Sequence, residues 1–365
     1  MKINYKRRWD QIASNLDDKG AFITSLPGNT RYLGNSESPP GSPPGSTMNF
    51  VIIQKDQEPI AITSSLEEHR CREEASIKDI KCWTIYPDIK SDGKSAIDVL
   101  KKTLIDNKID DIYSDTKLRL GRSIKSTLNN YVTEMRGVKT EDELERIKKA
   151  VEQSDAGQQF AKNLVECGEK LTEKEVRAEI DYFMARKGIQ ENSFSTIIAS
   201  GPNSAHSHHS NTDRKLEKGD SVICDFGVFW DGYCSDITRT YFVGGETSEK
   251  MKEIYNIVLD ANKRSISALT EGKSGHLVDK AGRDYIRKKG YGKNFVHGTG
   301  HGFGLEIHEF PSITYRSKVI AKDSMAVTIE PGIYIPGKGG VRIEDDVLVN
   351  GEKPKILTKA DKELY

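Results

Sequence analysis

The segment Ser221–Val243 carries two aspartates inside runs of residues that favour β-strands. Its Asp231-Gly232 pair predicts a β-hairpin, because Asp-Gly is a preferred pair in tight two-residue loops. Any even-length loop places Asp225 and Asp236 on the same face of the hairpin. A loop of Trp230-Asp231 sets them directly opposite each other, whereas a loop of Asp231-Gly232 sets them on a diagonal. Two buried carboxylates are costly unless a cation lies between them, so the hairpin predicts a metal site.

Three residues downstream have side chains suited to the same cation. Glu330 ends an apolar run, and Glu344 alternates with apolar residues in GVRIEDD, which predicts a carboxylate on one face of a strand. His301 lies among glycines in GTGHGFGLEIHE. That stretch satisfies neither the GxGxxG dinucleotide motif nor the HExxH zinc motif. We therefore searched for a role of these residues as ligands that join the two aspartates.

The charges of this set balance two divalent ions. Asp225, Asp236, Glu330 and Glu344 carry four negative charges when His301 is neutral. Two metal ions about 3.5–4 Å apart form the usual clamp for hydrolysis of peptide or phosphate bonds. Carboxylate and imidazole ligands suit Mn, Fe, Co or Zn and argue against copper. We therefore expect two divalent metal ions, Mn, Co, Fe or Zn.

Composition limits the partners and the location. Lys+Arg and Asp+Glu both number 55, so no basic excess points to nucleic acid or to a membrane surface. The five cysteines lack CxxC spacing, which argues against a disulfide framework and favours a reducing compartment. We find no signal peptide and no apolar run of about 18 residues. We therefore expect a cytoplasmic protein.

The chain is predicted to contain two domains, at residues 1–133 and 134–365. Strands and helices alternate in the first, which is typical of a small α/β domain. The stretch Gly28–Thr47 is expected to be irregular and contains SPPG twice within Ser38–Gly45, either as a surface excursion or as a rim over the site. From the capping box Thr140-x-x-Glu143 onward, pairs of helices alternate with strands, which indicates an α+β fold.

Five motifs in order carry a resemblance to a known family. DFG, SDITRT, GHGFGLEIHE, IEPGIY and GVRIEDD resemble the M24 metallopeptidases of the pita-bread fold, specifically the Xaa-Pro aminopeptidases and dipeptidases. The resemblance covers the chain from about residue 140 to the end. The region before it is similar to the creatinase-like N-terminal domain of that family. The resemblance implies hydrolysis of the bond between an N-terminal residue and proline in short peptides with proline at the second position.

The resemblance also implies a role for each ligand. Asp225 would chelate one metal, His301 and Glu330 would hold the second, and Asp236 and Glu344 would bridge the two. A hydroxide between the metals would attack the scissile carbonyl. Glu330 would move the proton of that water to the leaving proline nitrogen.

Three histidines match family positions that contact substrate and polarise the tetrahedral intermediate. These are His208, His297 and His308, with His208 preferred over its neighbours His206 and His209. They complete the expected catalytic and substrate-binding set together with Glu330 and Arg342.

Two positions bear on the neighbourhood of the substrate. Arg342 shares a strand face with Glu344 in the predicted alternation and is expected to orient that carboxylate and to contact substrate. Dipeptidases of the family often carry an arginine just after the HE-x-P element, where this chain has Ser312, with Arg316 nearby but shifted. Peptides longer than a dipeptide therefore stay open as substrates. The family commonly forms homodimers, so we expect one here.

Three other functions remain as alternatives. A creatinase-like amidinohydrolase or a protein-interaction module would use the pita-bread fold without metal, which the presence of all five ligands opposes. A methionine aminopeptidase would share the five ligands. The additional N-terminal domain and the HE-x-P segment disfavour it.

Overall fold

The computed structural model describes residues 3–34, 48–118, 120, 125–167, 170–189 and 191–364. The repeated SPPG segment lies outside these residues. Internal contacts divide the chain into two compact units, Met1–Arg136 and Gly137–Tyr365. The division lies at the end of a helix that contains the boundary predicted between residues 133 and 134. Among the described residues, no helix is both long and apolar enough to cross a membrane.

The first unit is a mixed sheet with helices packed on it. Its elements are α1 (Tyr5–Ala13), β1 (Gly20–Thr24), α2 (Pro27–Gly34), β2 (Phe50–Gln54), β3 (Ile60–Ser64), α3 (Glu68–Glu74), β4 (Asp79–Trp83), α4 (Ala96–Asp106), β5 (Asp111–Ser114), β6 (Lys125–Leu128) and α5 (Tyr131–Gly137). The six strands follow the order β4-β3-β2-β1-β5-β6. Buried isoleucines of β1, β2 and β3 pack against leucines of α4 to form the core.

The expectation of irregular structure throughout Gly28–Thr47 is wrong at its beginning, where α2 forms. Pro27 is the first helical residue, where its fixed φ favours the helix and its missing N–H costs nothing. Every residue of α2 after Pro27 is buried. Tertiary burial therefore stabilises a helix whose glycine-rich sequence would not predict one.

In its described residues, the second unit combines four α-helices with several small antiparallel sheets. Its elements are α6 (Glu141–Cys167), α7 (Glu173–Arg186), β7 (Glu191–Asn192), β8 (Ile197–Ser200), β9 (Ser221–Phe226), β10 (Val228–Trp230), β11 (Tyr233–Cys234), β12 (Ile237–Phe242), α8 (Glu249–Ala268), α9 (Gly275–Lys288), β13 (Gly300–Gly302), β14 (Glu309–Ile313), β15 (Ala326–Ile329), β16 (Gly332–Ile335), β17 (Gly339–Arg342), β18 (Asp345–Leu348) and β19 (Lys355–Ile356). The sheets have the orders β11-β10-β7, β12-β9-β8, β14-β13-β15-β18-β19 and β16-β17.

The helices of this unit begin at side chains that cap them. Thr172 and Glu175 form the full capping box of α7, as their spacing predicts. Ser248 and Ser274 cap α8 and α9. Residues of α6 and α7 pack on β9 and β12 around Phe226, and α8 packs near β16 and β17. The helices thereby pack against the strands on which the site residues lie.

The predicted hairpin forms with the second of its two possible two-residue loops, Asp231-Gly232. Trp230 lies opposite Tyr233, so the loop is the two-residue pair Asp231-Gly232. Both residues have positive φ, 45° and 84°. Type I′ turns require positive φ at both central residues, and they match the twist of the strands.

The same register continues past the turn and fixes the two aspartates. Asp225 in β9 lies opposite Thr238 in β12. Continuing this register places Asp236 two residues along from Thr238, on a diagonal of the same face as Asp225. The chain is so close here that a Cβ at Gly227 would lie 1.8 Å from the Ser235 carbonyl oxygen. Glycine therefore permits the pairing that aligns the carboxylates.

Candidate metal centre

A cavity of about 300 Å³ lies in the second unit. Residues from strands of three sheets and from the loops between them surround it, and its apolar wall includes Phe194, Ile197 and Ile307. All nine residues selected from the sequence line it: Asp225, Asp236, His301, Glu330, Glu344, His208, His297, His308 and Arg342.

Strand pairing explains why two glutamates from distant segments converge. Glu330 directly follows β15, and Glu344 directly precedes β18. These two strands are antiparallel, with Ile329 opposite Asp345. The end of one strand therefore lies beside the start of the other, and the two glutamates lie at the same end of this strand pair.

Three donors from different elements lie within reach of one ion. Oxygens of Asp236 and Glu344 and a ring nitrogen of His301 all lie within 4.8 Å of one another. His301 Nε2 is 3.6 Å from an Asp236 oxygen and 3.7 Å from a Glu330 oxygen. At these separations, the carboxylates and the imidazole could bind one cation between them.

Burial and mutual repulsion hold protons on these carboxylates. Burial raises the pKa of Asp236 and of Glu344 well above the usual range, and neighbouring negative groups raise both further. Burial also raises the pKa of Glu330 to about 8, against the opposing charge of Arg342. A divalent cation would reverse this balance, because it favours the ionised carboxylates.

The orientation of His301 fits a cation better than a proton. Its Nδ1 lies 3.1 Å from the Gly302 carbonyl oxygen, which accepts and thereby assigns the ring proton to Nδ1. Burial lowers the pKa of His301 to about 4, so the ring is neutral at pH 7. The lone pair of Nε2 then faces Asp236 and Glu330, an arrangement that a metal ion stabilises.

Asp225 supplies the remaining test of fit. One of its oxygens accepts a hydrogen bond from Arg342. The other, Oδ1, is buried and has no hydrogen-bond partner among the described residues. Buried polar atoms are nearly always satisfied, so this oxygen points to an ion or water at the same place. The donor set therefore fits a divalent metal.

Arg342 contacts different partners from those expected. Its guanidinium donates to Asp225, to Tyr334 Oη at 2.9 Å and to Thr238 Oγ1 at 3.0 Å. The Thr238 hydroxyl in turn donates to Glu344 at 2.7 Å. Arg342 thus acts on Glu344 through Thr238. Strand β17 ends at Arg342, and Arg342 and Glu344 both line the cavity, so their shared face stays a prediction.

Tyr334 is a residue of the site that the sequence did not single out. His297 Nδ1 lies 2.8 Å from the Gly298 carbonyl oxygen, so Nδ1 carries the proton. Its Nε2 accepts from the Tyr334 hydroxyl at 2.8 Å, and that hydroxyl accepts from Arg342. Burial, together with the charge of Arg342, lowers the pKa of His297 to about 4 and keeps it neutral. The sequence signal that could have identified Tyr334 is its position as the last residue of the IEPGIY motif.

For the peptidase activity that the sequence resemblance implies, Tyr334→Phe is expected to lower kcat/KM about tenfold, the range typical of losing a group that orients a site residue. The ring still fills its place, but His297 Nε2 loses its donor. The measurements are kcat/KM and the melting temperature of each variant, so that a loss of activity can be separated from a loss of stability. Tyr285→Phe is the control, because its hydroxyl bonds Asp260 on the helices instead. Equal activities of the two variants would contradict the assignment.

The remaining histidines are placed differently from one another. His208 lines the cavity, whereas His209 Nε2 lies 2.7 Å from Glu173 and the His206 ring stacks on His209. This placement favours His208 as the substrate contact among the three. The His308 ring lies 4.3 Å from the His301 ring, and burial lowers its pKa.

Ser312 and Arg316 are both exposed at the surface of the unit. Ser312 lies in β14 opposite His301, but neither it nor Arg316 is among the described residues that line the cavity. Among the described residues, the segment after the HE-x-P element therefore contributes no guanidinium to the cavity wall.

Comparisons with known proteins agree with this geometry. The sequence model described as metallopeptidase family M24 matches residues 145–351. The Xaa-Pro dipeptidase of Pyrococcus furiosus is 35% identical over 365 residues, covering 98% of this chain and 99% of the relative. The solved Xaa-Pro dipeptidase from Bacillus anthracis has a TM-score of 0.85 at 35% identity, with 99% of each chain covered. The X-Pro aminopeptidase from Thermotoga maritima has a TM-score of 0.84 at 32% identity, with the same coverage.

These likenesses confirm the resemblance and the predicted fold, which is an α+β pita-bread architecture with two domains. They also confirm that the protein is a peptidase. Membership of the family implies divalent metal cofactors, which the cluster of donors fits. The chain belongs to metallopeptidase family M24, and its relatives include Xaa-Pro dipeptidases.

Proposed function

We propose that this protein hydrolyses the peptide bond between an N-terminal residue and a following proline. The observation that carries the proposal is the convergence of four carboxylates and four histidines on one cavity. The names of the relatives, which act on Xaa-Pro bonds, support the same substrate class. The volume of about 300 Å³ lies at the small end of ligand sites, which suits a dipeptide or the first residues of a short peptide.

The five donors would hold two divalent ions, Mn, Co, Fe or Zn. In this proposal Asp225 binds one ion, His301 and Glu330 bind the other, and Asp236 and Glu344 reach both. The unpaired oxygen of Asp225 and the lone pair of His301 Nε2 support it. When bound, such ions lower the pKa of water and stabilise negative charge on the scissile carbonyl oxygen.

The protein's own groups have separate tasks in the reaction. Glu330, which lines the cavity beside His301, would accept a proton and deliver it to the leaving proline nitrogen. His208 and His308 line the cavity as hydrogen-bonding groups for the substrate. His297, whose two ring nitrogens are bonded to Gly298 and Tyr334, would contact the substrate through its ring carbons. The internal bonds of Arg342 make it a residue that positions Asp225 and Tyr334.

The metal-free alternatives fit the site poorly. A creatinase-like enzyme or an interaction module would leave the lone pair of His301 facing Asp236 and Glu330 with nothing between them. The homodimer and the cytoplasmic location stay predictions, which light scattering and cell fractionation can test.

The deciding experiment compares Xaa-Pro dipeptides with Xaa-Pro-Yaa tripeptides after chelation and separate reconstitution with Mn, Co, Fe or Zn. We expect cleavage before proline with at least one ion, and little cleavage of matched Xaa-Ala peptides. No cleavage of either proline series with any ion would overturn the proposal. Cleavage of dipeptides alone would show that Ser312 does not prevent dipeptidase activity.

A further inference from the structure

The carboxylate of Glu173 is a buried group that the proposed reaction does not use. Glu173 is the first residue of α7, and its side chain is fully buried. It lies outside the residues that line the cavity. Even so, its two oxygens accept several hydrogen bonds from side chains and backbone amides. All of these donors belong to one loop, Ser200–Thr212.

The two oxygens of Glu173 hold the two arms of that loop separately. Oε1 accepts from the Ser200 amide and hydroxyl, both at 2.8 Å, and from Asn203 Nδ2 at 3.0 Å. Oε2 accepts from His209 Nε2 at 2.7 Å and from the Thr212 amide and hydroxyl at 2.9 and 2.7 Å. One carboxylate thereby joins residues 200–203 to residues 209–212.

The tip of the loop, between these two arms, reaches the cavity. Ser207 and His208 both line it. The Ser207 carbonyl oxygen accepts a hydrogen bond from Arg342 at 3.2 Å. The position of His208 in the cavity is therefore set from the base of the loop by Glu173 and near its tip by Arg342.

The loop depends on the ionised form of Glu173. Burial alone would raise its pKa, but the hydrogen bonds from His209, Thr212, Ser200 and Asn203 together lower it to about 2. An ionised carboxylate can only accept hydrogen bonds, and the groups around Glu173 are all hydrogen-bond donors. A neutral amide of the same shape would turn an NH₂ group toward one of the two arms.

We propose that Glu173 is a positioning residue for substrate binding, which closes the loop Ser200–Thr212 at its base and so holds His208 against the substrate. This inference rests on the proposed function, because it assigns to His208 a contact with the Xaa-Pro substrate. It adds a residue that belongs neither to the metal centre nor to the cavity wall.

The test is Glu173→Gln in the metal-loaded enzyme, assayed on an Xaa-Pro substrate. We expect KM to rise about tenfold with a smaller change in kcat, because one arm loses charged hydrogen bonds. Bound metal should be unchanged. Glu175→Gln is the matched control, since Glu175 is in the same helical turn but at the surface, and glutamine can keep its capping bond.

A double-mutant cycle separates positioning from a general structural role. In the His208→Ala background, Glu173→Gln should have little further effect on KM, because the residue through which it acts is gone. Additive effects of the two substitutions would overturn the proposal. So would an unchanged KM in Glu173→Gln with the loop still protected from hydrogen exchange.

Two further measurements keep the inference testable on its own. If Glu173→Gln does not fold, Thr212→Val removes one donor to Oε2 and should raise KM about two- to threefold. Hydrogen exchange of residues 204–208 reports the loop without any substrate, and it should accelerate in either variant. If the wild-type enzyme cleaves no Xaa-Pro peptide, the proposed function fails. Unaltered exchange would sink the role of Glu173 whatever the substrate proves to be.

Discussion

Asp236→Asn is expected to lower kcat/KM on Xaa-Pro peptides by roughly a thousandfold or more, because residues that hold the reacting ions act as a unit with them. Asparagine keeps the shape of the side chain but removes one negative charge and one ligand oxygen. An oxygen of Asp236 lies within 4.8 Å of donor atoms of His301 and Glu344, which also lie within that distance of each other. Bound metal, measured on the purified protein, should therefore fall together with activity.

The same substitution should stabilise the metal-free protein. Burial and the charges of Glu344 and Asp225 raise the pKa of Asp236, so folding at neutral pH requires this group to take up a proton that the unfolded chain has released. Relief of about 1 kcal/mol would raise the melting temperature by roughly 2–4 °C in a unit of this size. Loss of activity combined with a gain in metal-free stability distinguishes a metal ligand from a structural aspartate.

Asp231→Asn is the matched control for this variant. It makes the same change in the turn of the same hairpin, where the side chain is half exposed and pairs with Arg146. Asparagine tolerates the positive φ of this position, so folding should be unaffected. Full activity of Asp236→Asn with unchanged metal content would refute the proposed bridging role.

Local sequence rules predicted the hairpin well because every interaction they use is local. The Asp-Gly pair specifies the turn, and period-two alternation places Asp225 and Asp236 on one face. The helix starts at Thr172, Ser248 and Ser274 follow from residues within one turn of each cap. The sequence could therefore supply both the ligand types and the face that they share.

The partners that orient those ligands could not be read from spacing. Thr238 follows Asp236 by two residues in SDITRT, yet its bond to Glu344 spans 106 positions. Tyr334 reaches His297 and Arg342 only after β16 and β17 pair. Glu173 was visible only as an ordinary residue at the start of a helix. Each of these contacts depends on how separate elements pack, which local pattern does not specify.

The misassignment of the beginning of Gly28–Thr47 has the same origin. The glycine, proline and serine content of the whole stretch favours irregular structure. Helix α2 forms at its start because its side chains are buried, including Asn29, which bonds Asp115 at 2.8 Å and Arg136 at 2.9 Å. Those partners are more than eighty residues away. Composition therefore predicted the wrong state where tertiary contacts determine it.

The metal-free protein is expected to lose stability as the pH rises from 6.5 to 8. The pKa of Glu330 is raised from 4.5 to about 8, and those of Asp236 and Glu344 are raised as well. A raised carboxyl pKa means that the folded state holds protons that the unfolded chain has released. Stability is therefore lost as the pH rises toward the folded pKa, by about 2 kcal/mol for each group that ionises across this interval.

The buried histidines fix the lower limit of this window. The pKa values of His297 and His301 are lowered from 6.5 to about 4, chiefly by burial. Both rings are neutral in the folded protein and charged in the unfolded chain below pH 6.5, so they make stability increase with pH between 4 and 6.5. They oppose the carboxylates there, and their opposition fades over about one pH unit above 6.5 as the unfolded histidines lose their remaining protons. The upper part of the interval from 6.5 to 8 therefore reports the carboxylates.

Thermal melts of chelated and metal-loaded protein at pH 6.5, 7.25 and 8 measure the effect. The melting temperature of the chelated protein should fall by roughly 4–8 °C over this interval for each ionising group. The gain on adding metal should increase with pH, because the ion binds ionised carboxylates and displaces their protons. Glu330→Gln should flatten the slope, whereas Asp231→Asn should leave it unchanged. A chelated protein whose stability is constant or rises across this window, or a metal-induced gain that does not depend on pH, would show that Asp236, Glu330 and Glu344 do not share the repulsion that a cation relieves.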